Sequence, residues 1–398
     1  MSNFFSDQGY LAVKPQTGAG TPIIPTNFVP LVSESVKTVQ NLSTDKRLKG
    51  RTWGANDLLK GARTHEGEIV VEADPDNLGH FLNMLIKKGT TTGDASDGYT
   101  HPFTVGDPDS YSIEFNRGAY AQRIMGVQVS EMRLEFQDNR MVIRAQIQGL
   151  AQFSVGTLGV ALTGAGMTDI VFDDKYDRQP TRGLVAGDKI VIGSDELTLL
   201  SVEADGVTVK ITSTELTYST GEEIHLKAQT PSYTGLQNAF NIGNMLVGIG
   251  ADETTATSNA GAIATAIPVH DFSIILNRNV LTIPRSGRLE PVEIIRQALE
   301  GQIEMKQLLT SADQRQKFLD KGKQALTLIV TGEHIKADFS TSEKLTFKFH
   351  NVKLMENGNM LEIGQYIVDD QRLEVLYDET DAKAIAVELV NRTAGTDY

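Results

Sequence analysis

Glu66-Gly67-Glu68-Ile69-Val70-Val71-Glu72, leading through Asp74-Pro75-Asp76 into Leu78, Phe81, Leu82, Met84, Leu85 and Ile86, decides how the rest of the chain is read. Ile69 and Val71 alternate with Glu68, Val70 and Glu72, the period of a strand with one buried face. Asp74 followed by Pro75 supplies a helix cap and a first-turn proline that costs the helix nothing. Leu78, Phe81, Leu82 and Leu85 then recur at three- and four-residue spacing, a stripe that a sheet must cover. The same order returns as Glu300-Gly301-Gln302-Ile303-Glu304-Met305-Lys306, a Thr310-Ser311-Ala312-Asp313 cap and a run with Phe318 and Leu319, Gly301 standing 234 positions after Gly67. A strand, a capped turn and a helix written twice predict two similar halves.

Outward from the first copy, Tyr10 to Val13 and Leu31 to Val39 read as strands around a Gly-, Thr- and Pro-rich loop from Pro15 to Pro30. Asn41 to Arg63 carries Lys46, Arg47, Lys49, Arg51, Lys60 and the single tryptophan, Trp53, without a clean period, so it reads as a solvated loop or a hairpin arm. Tyr111, Ile113 and Phe115 share one strand face. From Ile124 to Phe136, Val127, Val129, Met132, Leu134 and Phe136 keep a period of two apart from one slip after Val129, which a bulge absorbs. Asp138-Asn139 is a turn, and Met141, Ile143, Ala145 and Ile147 continue the meander until the half closes near Gly149.

Residues 168 to 229 have no counterpart in the other half. Lys189 to Ile192, Leu197 to Val202, Val207 to Thr212 and Glu223 to Leu226 read as short strands of an inserted β barrel or sandwich. The second half begins near Phe240: Met245-Leu246-Val247 echoes Tyr10-Leu11-Ala12, Thr254 to Ala266 reads as a loop, and Val352-Lys353-Leu354 corresponds to Val127-Gln128-Val129. The expected fold is mainly β with flanking helices. It comprises two tandem β-sandwich domains, residues 1–165 and 233–398, each with a packed helix, and an inserted small β domain at 166–232.

At 398 residues with 40% apolar and 22% charged residues, the chain has the composition of an ordinary globular protein of two or three domains. It contains no cysteine, which excludes a disulfide framework and a thiolate metal site. No apolar run of membrane-spanning length occurs. A net charge of −14 opposes any stable grip on nucleic acid. Chemistry is absent from the motifs too. Gly248-Ile249-Gly250 runs into Ala251-Asp252-Glu253, so a dinucleotide fingerprint fails. The seven histidines are scattered, Asp173, Asp174 and Asp177 lack the glycine and the downstream glutamate of a calcium loop, and Glu290 and Glu293 have no evident partner. No catalysis, metal or cofactor is expected.

Asp271-Phe272-Ser273-Ile274-Ile275-Leu276-Asn277-Arg278-Asn279-Val280, the turn Ile283-Pro284-Arg285-Ser286-Gly287-Arg288 and the strand Gly301-Gln302-Ile303-Glu304-Met305 resemble the major tail tube proteins of long-tailed bacteriophages. Gly18-Ala19-Gly20-Thr21-Pro22 with Phe28-Val29-Pro30-Leu31, and Glu72-Ala73-Asp74-Pro75-Asp76-Asn77-Leu78-Gly79, look like that family's opening and its strand-to-helix joint. The resemblance implies a structural subunit of the virion tail, assembled in the host cytoplasm, whose rings stack into a hollow conduit for the genome. A chain with two copies of the fold, as in T5-like tails, would close a pseudo-sixfold ring from three chains, the alternative being six. Implied partners are the protein itself, tape measure, tail terminator and distal tail or baseplate proteins, with DNA passing through without stable binding. Candidate inter-subunit and inter-ring contacts are Thr21, Pro22, Phe28, Lys46, Arg47, Arg51, Trp53, Thr254 and Thr255. The competing reading is another phage tail component: a terminator, a baseplate hub or a glycan-binding decoration protein.

Overall fold

A computed structural model describes residues 9–18, 20–45, 57–118, 120–175, 179–233, 237–284, 289–308, 319–320, 322–336, 340–360, 368–395 and 397–398. The first half runs β1 (Tyr10–Pro15), β2 (Asn27–Val29), β3 (Leu31–Glu34), β4 (Lys37–Asp45), β5 (Asp57–Glu72), α1 (Pro75–Leu85), β6 (Lys87–Lys88), β7 (Thr92–Asp94), β8 (Gly98–Thr104), β9 (Tyr111–Asn116), β10 (Ala121–Gln137), β11 (Arg140–Gly149) and β12 (Ala151–Phe153). A separate six-stranded sheet follows, formed by β13 (Val155–Thr157), β14 (Leu162–Val171), β15 (Lys189–Ile192), β16 (Asp195–Val202), β17 (Thr208–Tyr218) and β18 (Glu223–Leu226). The second half contributes β19 (Met245–Gly250), α2 (Glu253–Ala260), β20 (Val269–Asn277), β21 (Leu281–Ile283), β22 (Glu293–Ile295), β23 (Glu300–Leu308), β24 (Gln324–His334), β25 (Ser342–Met360), β26 (Val368–Val375) and β27 (Ile385–Asn391).

The pairings of the first half recur in the second down to their irregularities. Where β9 meets β10 the register slips, Ile113 facing Ile124 and Tyr111 facing Val127; where β24 meets β25, Leu326 faces Phe349 and Gln324 faces Val352. A second bulge lies after Val129 in β10 and after Leu354 in β25, and a third after Leu31 in β3 and after Val269 in β20. The slip of apolar residues between Val129 and Met132 is therefore a bulge, as the spacing requires. Val127 and Val352 are equivalent, as expected.

The bulges place Val71 opposite the same feature as Gln307, so β5 maps onto β23 at 236 positions, two more than the sequence match of Gly67 to Gly301. Side chains in a strand have a period of two, so a slip of two leaves every residue on its own face and the sequence alone cannot detect it. Likewise Leu11 pairs with Val29 as Val247 bridges Ile267, which makes Val247, not Leu246, the counterpart of Leu11.

Both halves feed one core. Buried residues from Leu11 to Ile147 and from Phe240 to Leu389 form a single apolar cluster, and β10·β20 and β8·β27 join the halves into one hydrogen-bonded network. α1 lies where they meet, capped by Asp74, which accepts from the backbone N–H of Asp76 and Asn77. Leu78, Phe81, Leu82 and Leu85 are buried as the stripe predicts, but so are Asn77, Gly79, His80, Asn83 and Met84. The helix packs against β1 and β10 of one half and β25 and β27 of the other, so no face is left for solvent.

The tail closes the last gap. The Tyr398 ring lies over Gly79, and its hydroxyl donates to the Asp76 carbonyl at 2.7 Å. Any Cβ at position 79 would overlap that ring. Gly79→Ala is expected to cost about 1–3 kcal/mol by overpacking. Urea unfolding checks it, and pairing with Tyr398→Ala should recover part of the loss.

Two expectations change. Thr254 to Ala266 is not all loop: α2, capped by Asp252, packs Ala256 and Ala260 onto β19 and β24. The backbone approach explains the Gly248-x-Gly250 pair, since a Cβ on Gly248 would overlap the Ala256 carbonyl oxygen. The inserted sheet begins at Val155, and β14 crosses the expected boundary between 165 and 166. Six strands replace the expected four, around a core that includes Ile170, Phe172, Ile190, Ile192 and Ile211. The helix expected after Thr310 falls outside the described residues apart from Leu319 and Asp320.

Candidate functional site

The seam between the halves is built by β10 and β20. Glu131 faces Asn277, Arg133 faces Ile275 and Glu135 faces Ser273 in antiparallel register, and the Asn277 side-chain amide donates to Glu131 at 3.2 Å. Beyond Asn277 the chain continues as an arm, β21 and β22, folded back over the first half. Arg278 donates to the carbonyl of Leu85 at 2.7 Å, placing a cation at the C-terminus of α1, where the helix dipole favours it. Arg296 donates to Gln128 at 2.8 Å, and Val280 and Ile294 cover Leu150. Burial lowers the pKa of both arginines, Arg278 further through the neighbouring Arg296.

The arm seats Leu289 and Glu290 in a socket of the first half. The Arg63 backbone N–H donates to the Leu289 carbonyl at 2.6 Å, and Glu290, itself buried, accepts from the Gln152 N–H at 3.2 Å. His65 Nε2 stands 3.4 Å from the same carboxylate and Arg182 3.7 Å from it. Thr38, Arg63, His65 and Gln152 line this socket. Glu290 therefore has partners that no local sequence pattern announces, because they come from β5, β12 and the inserted sheet.

At each end of the sheet that β10 and β20 join, a strand margin is open among the described residues. β3 and β4 pair with β5 on one side, and among the described residues no strand pairs with their other side. From Lys353 to Met360, β25 pairs with β26 alone among the described residues. Lys37, Thr38 and Val39 on one margin and Met355, Glu356 and Gly358 on the other are exposed.

Between these margins the outer face of the continuous sheet carries paired charges. Arg144 meets Glu135 at 2.6 Å, Arg133 meets Glu135 at 2.9 Å and Glu304 at 3.4 Å, Lys306 meets Asp271 at 3.2 Å, and Arg372 meets Glu356 at 3.6 Å. The face is concave, enclosing about 770 Å³. Each of these four cations already has a carboxylate partner, so a phosphate would have to displace one.

The candidate contact residues scatter over this frame. Thr254 and Thr255 are exposed in the first turn of α2, and Thr21 and Pro22 lie in the loop before β2. Phe28 is engaged within the chain, its ring 5.4 Å from Tyr10 and 6.2 Å from Tyr233 in edge-on packing. Lys46, Arg47, Arg51 and Trp53 lie outside the described residues; the strands β4 and β5 that lead to them form a hairpin arm. Among the described residues no group of acidic or histidine side chains could hold a metal ion, and no helix is long and apolar enough to cross a membrane.

A family profile described as Phage tail tube protein matches residues 6–359. The chain belongs to the phage tail tube protein family. A search of curated proteins gives no match. As a tail tube protein it is a structural component of the virion tail and not an enzyme. The sequence pattern singled out loops and the 41–63 arm; the β10·β20 seam was not among its candidates. The Val129 to Phe136 and Ile274 to Asn277 alternations mark the two strands that form the seam, but which strand meets which is not a local property.

Proposed function

We propose that this tail tube protein self-assembles head to tail into closed rings that stack as the hollow conduit for genome delivery. The observation that carries the reading is the β10·β20 seam: one half extends the sheet of the other, and an open margin remains at each end of the pair. An open edge is a template for another strand, and a heterologous contact that closes gives a ring. The recurring bulges support two tube-fold units, one formed by β1 to β12 and one by β19 to β27, with the inserted sheet between them. Three chains then present six equivalent units, as in T5-like tails. The paired charges between the margins suit a lumen wall along which DNA slides.

Purified full-length protein viewed by negative-stain electron microscopy should show rings and tubes with sixfold-like symmetry built from three chains. A population of monomers at all concentrations, binding glycan, would favour the decoration reading instead. The partners expected in the tail are the tape measure, the terminator and the distal tail proteins.

A further inference from the structure

The contact between the halves has a residue-level counterpart left unmade at the ends of the chain. The matched bulges map Glu131, Arg133 and Glu135 onto Glu356, Gly358 and Met360, and map Asn277, Ile275 and Ser273 onto Val39, Lys37 and Ser35. The mapping is checked independently by the pairing to β5 and β23: Lys37 faces Glu66 as Ile275 faces Gln302, and Val39 faces Thr64 as Asn277 faces Glu300.

The socket recurs as well. Thr38, Arg63, His65 and Gln152, which line the seat of Glu290, map onto Leu276, Leu299, Gly301 and Ile385. These four line a second cavity of about 590 Å³, with Val375, Tyr377 and Ala384 among the other walls. Where the first socket is polar and holds the second-half arm, the second is apolar and no described residue of the chain occupies it. The arm equivalent to β21 and β22 is the β4–β5 hairpin, which belongs to the first half.

Resting on the ring reading, we propose that neighbouring copies of this chain meet by repeating the internal seam: residues 356–360 of one copy pair antiparallel with 35–39 of the next, Gly358 opposite Lys37, and the apolar cavity beside Leu299 receives the next copy's β4–β5 arm. Both contacts call for the same neighbour, because within the chain the strand pairing and the arm also join the same two units. Charge agrees. Lys37 would stand opposite Gly358, flanked by Glu356 on the same strand and Asp370 across it in β26.

The absence of cysteine makes a direct test available. In the full chain carrying Lys37→Cys and Gly358→Cys, assembled under mild oxidation, directly opposed positions lie within disulfide reach. A non-reducing gel should show a ladder that ends at a covalently closed trimer. The control Val39→Cys with Gly358→Cys is one diagonal step out, about 7–8 Å, and should link at least tenfold less. Tubes that remain monomeric on the gel with the first pair, or that link through the second, overturn the register while leaving the ring reading intact. Failure of the unmodified protein to form rings overturns both. For the cavity, Ala384→Arg should raise the concentration needed for assembly at least tenfold with the circular dichroism melting curve unchanged; assembly at the normal concentration overturns the arm's place.

Discussion

Replacing Arg123 with alanine should destabilise the chain by about 3–5 kcal/mol, the range for removing one partner of a buried charge pair. Arg123 is fully buried at the junction of β10 with the inserted sheet. Its guanidinium donates to Glu114 at 2.6 Å and to both oxygens of Asp188 at 2.6 and 2.7 Å. Burial raises the pKa of Asp188 and the Arg123 charge opposes that rise. Glu114 also accepts from the Tyr10 hydroxyl at 2.5 Å and from Gln229 at 2.9 Å, so β1, β9, β10, the inserted sheet and its return segment converge on one cation. Without that cation two carboxylates stay buried and unbalanced.

Urea unfolding measures the loss, and hydrogen exchange should rise first at residues 114–123 and 186–190. Adding Glu114→Gln and Asp188→Asn to the alanine variant should return most of the stability, since the penalty lies in the uncompensated charges. A loss below about 1 kcal/mol for Arg123→Ala would show that the inserted sheet is fastened elsewhere.

What the sequence disclosed, and what it hid, follows from range. The Asp74-Pro75 cap and the Val129-to-Met132 slip are local signals with one physical reading each, and both appear in the fold. Asp138 and Asn139 adopt positive φ of 50° and 69°, the two-residue turn that right-twisted strands require. α2 was hidden because its eight residues, Glu253–Ala260, bury only Ala256 and Ala260, giving no apolar stripe. The cap at Asp252 and the spacing of those two alanines were the available clue. β13 and β14 were hidden by glycines at 156, 159, 164 and 166, which read as loop.

The arginine junction is long-range, Asp188 standing 65 positions from Arg123, and shows in the sequence only as a lone Glu114 and a lone Arg123 inside apolar strands. The open margins are the extreme case. An open edge is defined by which strands do not pair, and that requires the whole topology.

Glu343→Gln should stabilise the chain at pH 8 and leave it nearly unchanged at pH 4. Glu343 is fully buried in β25, beside the Arg392 guanidinium at 3.2 Å. Burial pushes its pKa up to about 7; Arg392 opposes the rise and Asp76 adds to it. The folded pKa stands above that of an unfolded glutamate near 4.3, so the fold prefers the protonated form. The stability this group contributes is complete below about pH 4 and is lost as pH rises through 7. A shift of this size corresponds to about 3–4 kcal/mol between the two limits, and glutamine, neutral throughout, removes the change.

Asp74, pushed up to about 6 by burial against the lowering effect of its bonds from Asn77, adds a second slope of the same sign that the variant keeps. The test is therefore a difference. Urea midpoints of the two proteins should converge below pH 5 and separate progressively to pH 8, with the glutamine variant the more stable. Parallel profiles would place the Glu343 carboxylate in an environment that tolerates its charge and would leave the other carboxyls raised by burial, Asp74, Asp76 and Asp188, as the source of any acid stabilisation.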